Sequence, residues 1–239
     1  MLTFGSLFAG IGGFDLGFER AGMACKWQVE IDDYATKVLA KHWPHVHRER
    51  DIRECGAHNL ERVDVICGGF PCQDISYAGL GAGLDGERSG LFFEAIRVVR
   101  ELQPRVAVLE NVAALFTRGL DRVLGTLAAI GYNAEWHCIP ASKWLYQRRR
   151  RLFVIAYRDC TWKLQPKRLD EKFRGRIRHS VEAVDWIVSK CAPLRSAYGI
   201  SSQVDRLRGL GNAVVPQVAE WIGRRITEAF DKFEEVAGE

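Results

Sequence analysis

Val63-Asp64-Val65-Ile66-Cys67-Gly68-Gly69 runs straight into Phe70-Pro71-Cys72-Gln73. The first seven residues read as a buried parallel strand, and the glycines and proline that follow place Cys72 on a loop at its carboxyl end. Open α/β sheets bind ligands beyond the carboxyl ends of their strands, so a thiol there reaches a substrate that a core thiol never meets. A free cysteine is more often a buried structural residue. A second strand-end signal favours the reactive reading: in Val106-Ala107-Val108-Leu109-Glu110-Asn111-Val112 a carboxylate follows an apolar strand in the same way. A nucleophile and an acid on neighbouring strand ends form a candidate site.

Outward from this stretch the chain alternates strand and helix. Leu2 to Phe8 reads as a first strand, and Ala9-Gly10-Ile11-Gly12-Gly13 as a turn opening a helix that runs to Ala21-Gly22. The spacing departs from the dinucleotide fingerprint, because Asp15 stands where its last glycine or alanine belongs. Lys26 to Val29 reads as a second strand ending in Glu30, placed to accept hydrogen bonds from ribose hydroxyls. Together these features point to a single adenosine-type nucleoside cofactor. Asp33 to His42 reads as a helix, Asp51-Ile52 as the end of a third strand, and the glycine-rich 78–86 as a mobile lid. A helix over 91–102, strands over 106–109, 134–139 and 152–156, a helix near 120–130 and a last helix from Pro216 to Val236 complete the pattern.

The 239 residues, 47% hydrophobic and 27% charged, suit one globular domain with at most a small appendage. No run approaches a membrane span, and Met1-Leu2-Thr3-Phe4 leads into a strand rather than a signal peptide, so a cytoplasmic protein is expected. The seven cysteines include no C-x-x-C pair, and His42, His45 and His47 sit at a helix end; reduced thiols and no metal are expected. Net charge is +4, yet residues 148–178 hold twelve Lys/Arg against three Asp/Glu, a local +9 that leaves −5 elsewhere. Charge runs are usually solvated surface, but a basic block on an acidic remainder is also a footprint for a polyanion.

Seven motifs occur in order: Phe8-Ala9-Gly10-Ile11-Gly12-Gly13, Glu30, Asp51-Ile52, Gly69-Phe70-Pro71-Cys72-Gln73, Glu110-Asn111-Val112, Gln147-Arg148-Arg149-Arg150-Arg151 and Gly211-Asn212-Ala213-Val214. On these the chain resembles the DNA (cytosine-5) methyltransferases. The resemblance covers about residues 1–157 and 206–230. It implies a Rossmann-like α/β fold of the S-adenosylmethionine-dependent methyltransferases, with a catalytic domain over 1–157, a short basic recognition segment over 158–205, and a return to the catalytic domain over 206–239.

The resemblance also implies roles. Cys72 is the nucleophile that adds to C6 of cytosine, Glu110 meets the N3/N4 edge, and Arg149 and Arg151 face the base and the thiol. S-adenosyl-L-methionine is the methyl donor, with Phe8, Gly10 and Gly12 around its methionine part, Glu30 on the ribose, and Ile31, Asp51 and Ile52 around the adenine. Pro71, Leu91, Asn212 and Ala213 close that pocket. The partner is duplex DNA with the target cytosine swung out of the stack, contacted by Ser76 in the mobile loop and by Arg174, Arg176 and Arg178. A monomer is expected. The family's recognition domain is reduced here to about 48 residues, and Leu145-Tyr146 replaces the usual Gly-Pro before Gln147. Cytosine-5 methylation of RNA and a non-catalytic DNA-binding relative are the alternative readings.

Overall fold

The computed structural model describes residues 1–71, 90–143, 149–158 and 213–237, all belonging to one unit formed by Met1–Lys163 with Ala213–Glu239. Its strands are β1 (Thr3–Leu7), β2 (Ala24–Val29), β3 (His47–Glu49), β4 (Val65–Gly69), β5 (Val106–Val112), β6 (Asn133–Pro140) and β7 (Arg150–Tyr157). Its helices are α1 (Gly13–Arg20), α2 (Asp33–His42), α3 (Gly90–Leu102), α4 (Leu115–Arg118), α5 (Leu120–Ala129) and α6 (Pro216–Ala237).

The sheet runs β3-β2-β1-β4-β5-β7-β6, parallel except for β7, which is antiparallel to both neighbours. The chain winds outward from β1 to β3, then returns to lay β4 on the other side of β1, so the direction of winding reverses between β1 and β4. A crevice opens at such a switch point, beyond the carboxyl ends of the strands. Residues 65–68 of β4 are all buried, as a strand covered on both faces requires. On one side α3 contributes Phe92, Ala95, Ile96, Val98, Val99 and Leu102 to the core.

Helix α6 brings the end of the chain back to its beginning. The close approach needs residues without side chains on α1: a Cβ on Gly13 would lie 2.3 Å from the Val214 carbonyl oxygen, and one on Gly17 would lie 2.4 Å from the Ala219 Cβ. From α6, Arg224 Nη2 donates to the Arg20 carbonyl at the end of α1 (3.1 Å), satisfying a terminal acceptor that the helix leaves open.

Asp15 is wholly buried in the first turn of α1. Its carboxylate accepts from Gln28 Nε2 (2.8 Å) and Ser6 Oγ (3.2 Å), while Gln28 Oε1 accepts from Arg48 Nε (2.9 Å). The site thus ties β1, β2 and α1 together and reaches β3 through one amide. Burial pushes the Asp15 carboxyl up to about 6, against the opposing pull of these hydrogen bonds. A folded-state value above the unfolded one means that the folded protein holds the proton more tightly, so stability falls as pH rises through this window and then levels. Asp15→Asn cannot titrate. Its stability relative to wild type, read from urea unfolding, should therefore rise by about 2 kcal/mol between about pH 4 and about pH 7; a pH-independent difference would contradict this.

Several expectations need correction. Glu110 lies inside β5 rather than after it, because pairing with β7 continues to Val112↔Arg151. The third strand ends at Glu49, and Ile52–Glu54 is a 3-10 turn with Asp51 as its cap. Helix α4 has no counterpart in the sequence pattern. No helix among the described residues is long and apolar enough to cross a membrane. Cys72, Ser76, the glycine-rich lid, Gln147, Arg174, Arg176, Arg178, Asn212 and all of the recognition segment except Arg158 lie outside the described residues.

Candidate active site

The loop after β1 bends sharply. Phe8, Gly10 and Gly12 all have positive φ, at 52°, 56° and 87°. For Phe8 this is a sparsely populated conformation that surrounding bonds must hold. Ala9 N–H donates to the Val29 carbonyl (3.1 Å) and Gly12 N–H to the Ala9 carbonyl (3.0 Å). A Cβ on Gly10 would meet nothing within 4 Å, so this stretch of backbone faces open space where a ligand can approach.

Glu30, at the end of β2, is 9% exposed. Its Oε2 accepts from Gly10 N–H (2.7 Å) and its Oε1 from Asp32 N–H (2.8 Å). These bonds fix the carboxylate against the bent loop and leave lone pairs on both oxygens for further donors. Burial raises its pKa, partly offset by the two backbone N–H groups. Beside it Ile31 is 61% exposed, an apolar side chain with its face to solvent. Asp51 caps the 3-10 turn, and its neighbour Ile52 is buried in the core cluster against which Phe8 and Leu91 also pack. Ala213 is half-buried just before Val214, whose carbonyl meets Gly13. A buried carboxylate for a diol, an exposed apolar face for a flat ring and a bare backbone loop fit an adenosine-type group.

The second half of the site stands on β4, β5 and β7. Gly69 pairs with Glu110 across the parallel ladder, and a Cβ on Gly69 would come within 3.0 Å of Glu110 Oε2. Asn111, 1% exposed, donates from Nδ2 to the Phe70 carbonyl (3.1 Å), which moors the chain one residue before Pro71 and two before Cys72. Pro71 is half-buried. Sequence reasoning places Asn111 within a motif but gives it no role; a polar residue on an otherwise buried strand is the available signal.

Glu110 is 6% exposed. On β7 its partner is Phe153, so Arg151 is a diagonal neighbour on the same face, and Arg149, just before the strand, is near enough to act on the carboxyl through its charge. Arg151 Nε lies 2.9 Å from Glu110 Oε1, an ion pair within hydrogen-bonding distance but poorly aligned. Burial pushes the Glu110 carboxyl up to about 7, outweighing the lowering by Arg151 and Arg149. An acid poised near neutrality can both give and take a proton. By contrast Cys67, fully buried on β4, is pushed well above the usual thiol range by desolvation and donates to the Gly5 carbonyl. That thiol is structural.

The profile of the C-5 cytosine-specific DNA methylases matches residues 2–187, and the chain belongs to that family. Among its relatives is the type II methyltransferase M.Eco47II of Escherichia coli, 37% identical over 167 residues, covering 64% of this chain and 39% of the relative. Another is M.HhaI of Haemophilus parahaemolyticus, 33% identical over 163 residues, covering 66% of this chain and 50% of the relative. The crystal structure of a mutant DNMT2 from Spodoptera frugiperda superposes with a TM-score of 0.57 at 19% identity, over 71% of this chain and 54% of that one, a likeness of fold. The chain is therefore built on the α/β fold of the S-adenosylmethionine-dependent methyltransferases, and it spans half or less of the two curated relatives' lengths.

Proposed function

We propose that the chain transfers a methyl group from S-adenosyl-L-methionine to C5 of cytosine in duplex DNA. The observation that carries this reading is Glu110: a buried acid titrating near neutrality, flanked by Arg149 and Arg151, beside the strand end that leads to Cys72. When bound, S-adenosyl-L-methionine would supply an electrophilic methyl group on a sulfonium, the methyl–sulfur bond breaking as C5 bonds the carbon and S-adenosylhomocysteine leaving as a neutral thioether. Phe8, Gly10 and Gly12 line its amino-acid part, Glu30 accepts from the ribose hydroxyls, and Ile31, Asp51 and Ile52 hold the purine, with Leu91, Pro71, Asn212 and Ala213 closing the pocket.

C5 of cytosine is too weak a nucleophile to react unaided. The Cys72 thiolate adds to C6 while the Glu110 carboxylic acid gives its proton to N3, so no charge is left on the ring and C5 gains the electron pair that bonds the methyl carbon. The C5 proton then leaves to solvent, the C6–S bond breaks to restore the thiolate, and N3 returns its proton to Glu110. Arg149 and Arg151 favour thiolate and offset charge developing at O2. None of these groups reaches a stacked base, so the cytosine is flipped out of the duplex, at a cost of a few kcal/mol in methyltransferases generally.

A duplex carrying 5-fluorocytosine at the target position tests the scheme, since fluorine cannot leave C5 as a proton does. The expected product is a protein–DNA adduct, stable to denaturation, with its bond on the peptide containing Cys72. No adduct, or one on another residue, would oppose the reading.

Residues 158–205 serve in this proposal as a short recognition segment, and Arg174, Arg176 and Arg178 as phosphate ligands. Phosphate contacts position a protein without reading bases. Replacing the three arginines by alanine should weaken binding alike on all sequences and flatten the log–log salt dependence by about 0.9 for each phosphate no longer neutralised. A change in which cytosines are methylated, with the slope intact, would make the segment a base reader instead.

A further inference from the structure

The 3-10 turn Ile52–Glu54 is gripped from outside by α3. Arg97 Nη2 donates to the Ile52 carbonyl (2.9 Å), which also accepts from Cys55 N–H (3.2 Å). The other guanidinium nitrogens are committed: Nε donates to Glu94 Oε2 (2.8 Å) and Nη1 to Glu101 Oε1 (2.9 Å). Glu101 in turn accepts from Ala57 N–H (3.2 Å) on the loop beyond the turn. Two carboxylates balance the one cation, so Arg97 supplies the turn with geometry rather than net charge.

That geometry reaches Asp51 through a single peptide plane. The carbonyl of Ile52 and the N–H of Arg53 belong to one planar trans unit and point to opposite sides. Fixing the carbonyl therefore aims the N–H, which donates to Asp51 Oδ1 (3.0 Å). The Arg53 side chain also holds Asp51, through Nε and Nη2, but it is 65% exposed against 26% for Arg97. The exposed side-chain fork is open to screening by solvent and salt. The Arg53 N–H is a second hold on the Asp51 carboxylate, and its direction is set by the peptide that Arg97 anchors.

We infer that Arg97 is a positioning residue for selection of the cofactor's purine, acting through the Ile52–Arg53 peptide to hold Asp51 as an aimed acceptor. This rests on the reading of Asp51 and Ile52 as the adenine site. An ionised carboxylate accepts hydrogen bonds and donates none, so it favours a 6-amino purine and repels a 6-oxo purine. A loosened carboxylate rotates away and discriminates less.

The test is calorimetric binding of S-adenosylhomocysteine and S-inosylhomocysteine to the full chain, wild type against Arg97→Met and Arg97→Lys. The amino-purine preference of wild type should fall about tenfold in Arg97→Met, mainly through weaker S-adenosylhomocysteine binding. Turnover at saturating cofactor should stay within about twofold. Lysine keeps the charge but cannot span the carbonyl and both glutamates, so Arg97→Lys should also lose the preference, and it decides the matter alone if the methionine variant does not fold. Equal weakening toward both ligands marks a merely structural role and overturns the inference, as does a preference retained in either variant. Wild type binding both ligands equally would instead remove the adenine-site reading, and the inference with it.

Discussion

Cys72→Ser is expected to abolish methyl transfer while S-adenosylhomocysteine binding stays within about twofold of wild type. A serine hydroxyl supplies almost no anion near neutrality, and nothing else in the proposed scheme can add to C6. Most of the proposed cofactor residues stand on the loops after β1 and β2, on the Asp51 turn and at the start of α3, away from the β4 loop that carries Cys72, so losing the sulfur leaves their support intact. Single-turnover transfer and calorimetric binding on the same preparation check both halves. Transfer within about tenfold of wild type, only about 1.4 kcal/mol of barrier, would remove Cys72 from the mechanism.

Glu110→Gln should lower the transfer rate by about 100- to 10,000-fold, the usual range for a lost general acid, with DNA binding kept. The amide preserves the shape between Gly69 and Arg151 and can still donate a hydrogen bond, but it has no acidic proton to transfer to N3. Direction with pH follows from burial. Because burial pushes the carboxyl up to about 7, the wild-type enzyme loses its donor, and its rate, as pH rises through that value. The glutamine variant should keep its residual rate across the same interval. An alkaline fall that persists in Glu110→Gln would assign it to another group, and a selective loss of cofactor binding would place Glu110 in the pocket wall.

Legibility of the fold varies with the kind of physical signal. Helix α2 is legible to the residue because its ends are chemically marked: Asp32 accepts from Ala35 N–H (2.8 Å) at the start, and Trp43-Pro44 stops it. Strand β7 is legible as a strand, but its antiparallel direction is not, since a two-residue period carries no sign of direction. Glu110 is misplaced for a related reason: β5 pairs with β4 as far as Glu110 and with β7 as far as Val112, and a ladder partner leaves no mark in the strand's own sequence. Helix α4 is too short for periodicity to register.

In the site, the Gly10 turn and Glu30 are legible as separate nucleoside signals, whereas the bond that joins them, from Gly10 N–H to Glu30, is a product of the fold. Asn111 and Arg97 act on backbone carbonyls, and a carbonyl has no sequence signature. Asp15 is legible only as a missing glycine; that it forms a buried carboxylate network follows from Gln28 and Ser6 arriving on two adjacent strands.

Methyl transfer to cytosine in DNA is tested by nucleoside mass spectrometry after the purified protein is incubated with deuteriomethyl-labelled S-adenosylmethionine and either duplex DNA or structured RNA. The expected result is 5-methyl-2′-deoxycytidine carrying the label from the DNA, none from the RNA, and none from either with Cys72→Ser. Label on another atom of cytosine, label in RNA alone, or no transfer by the wild-type protein would contradict it.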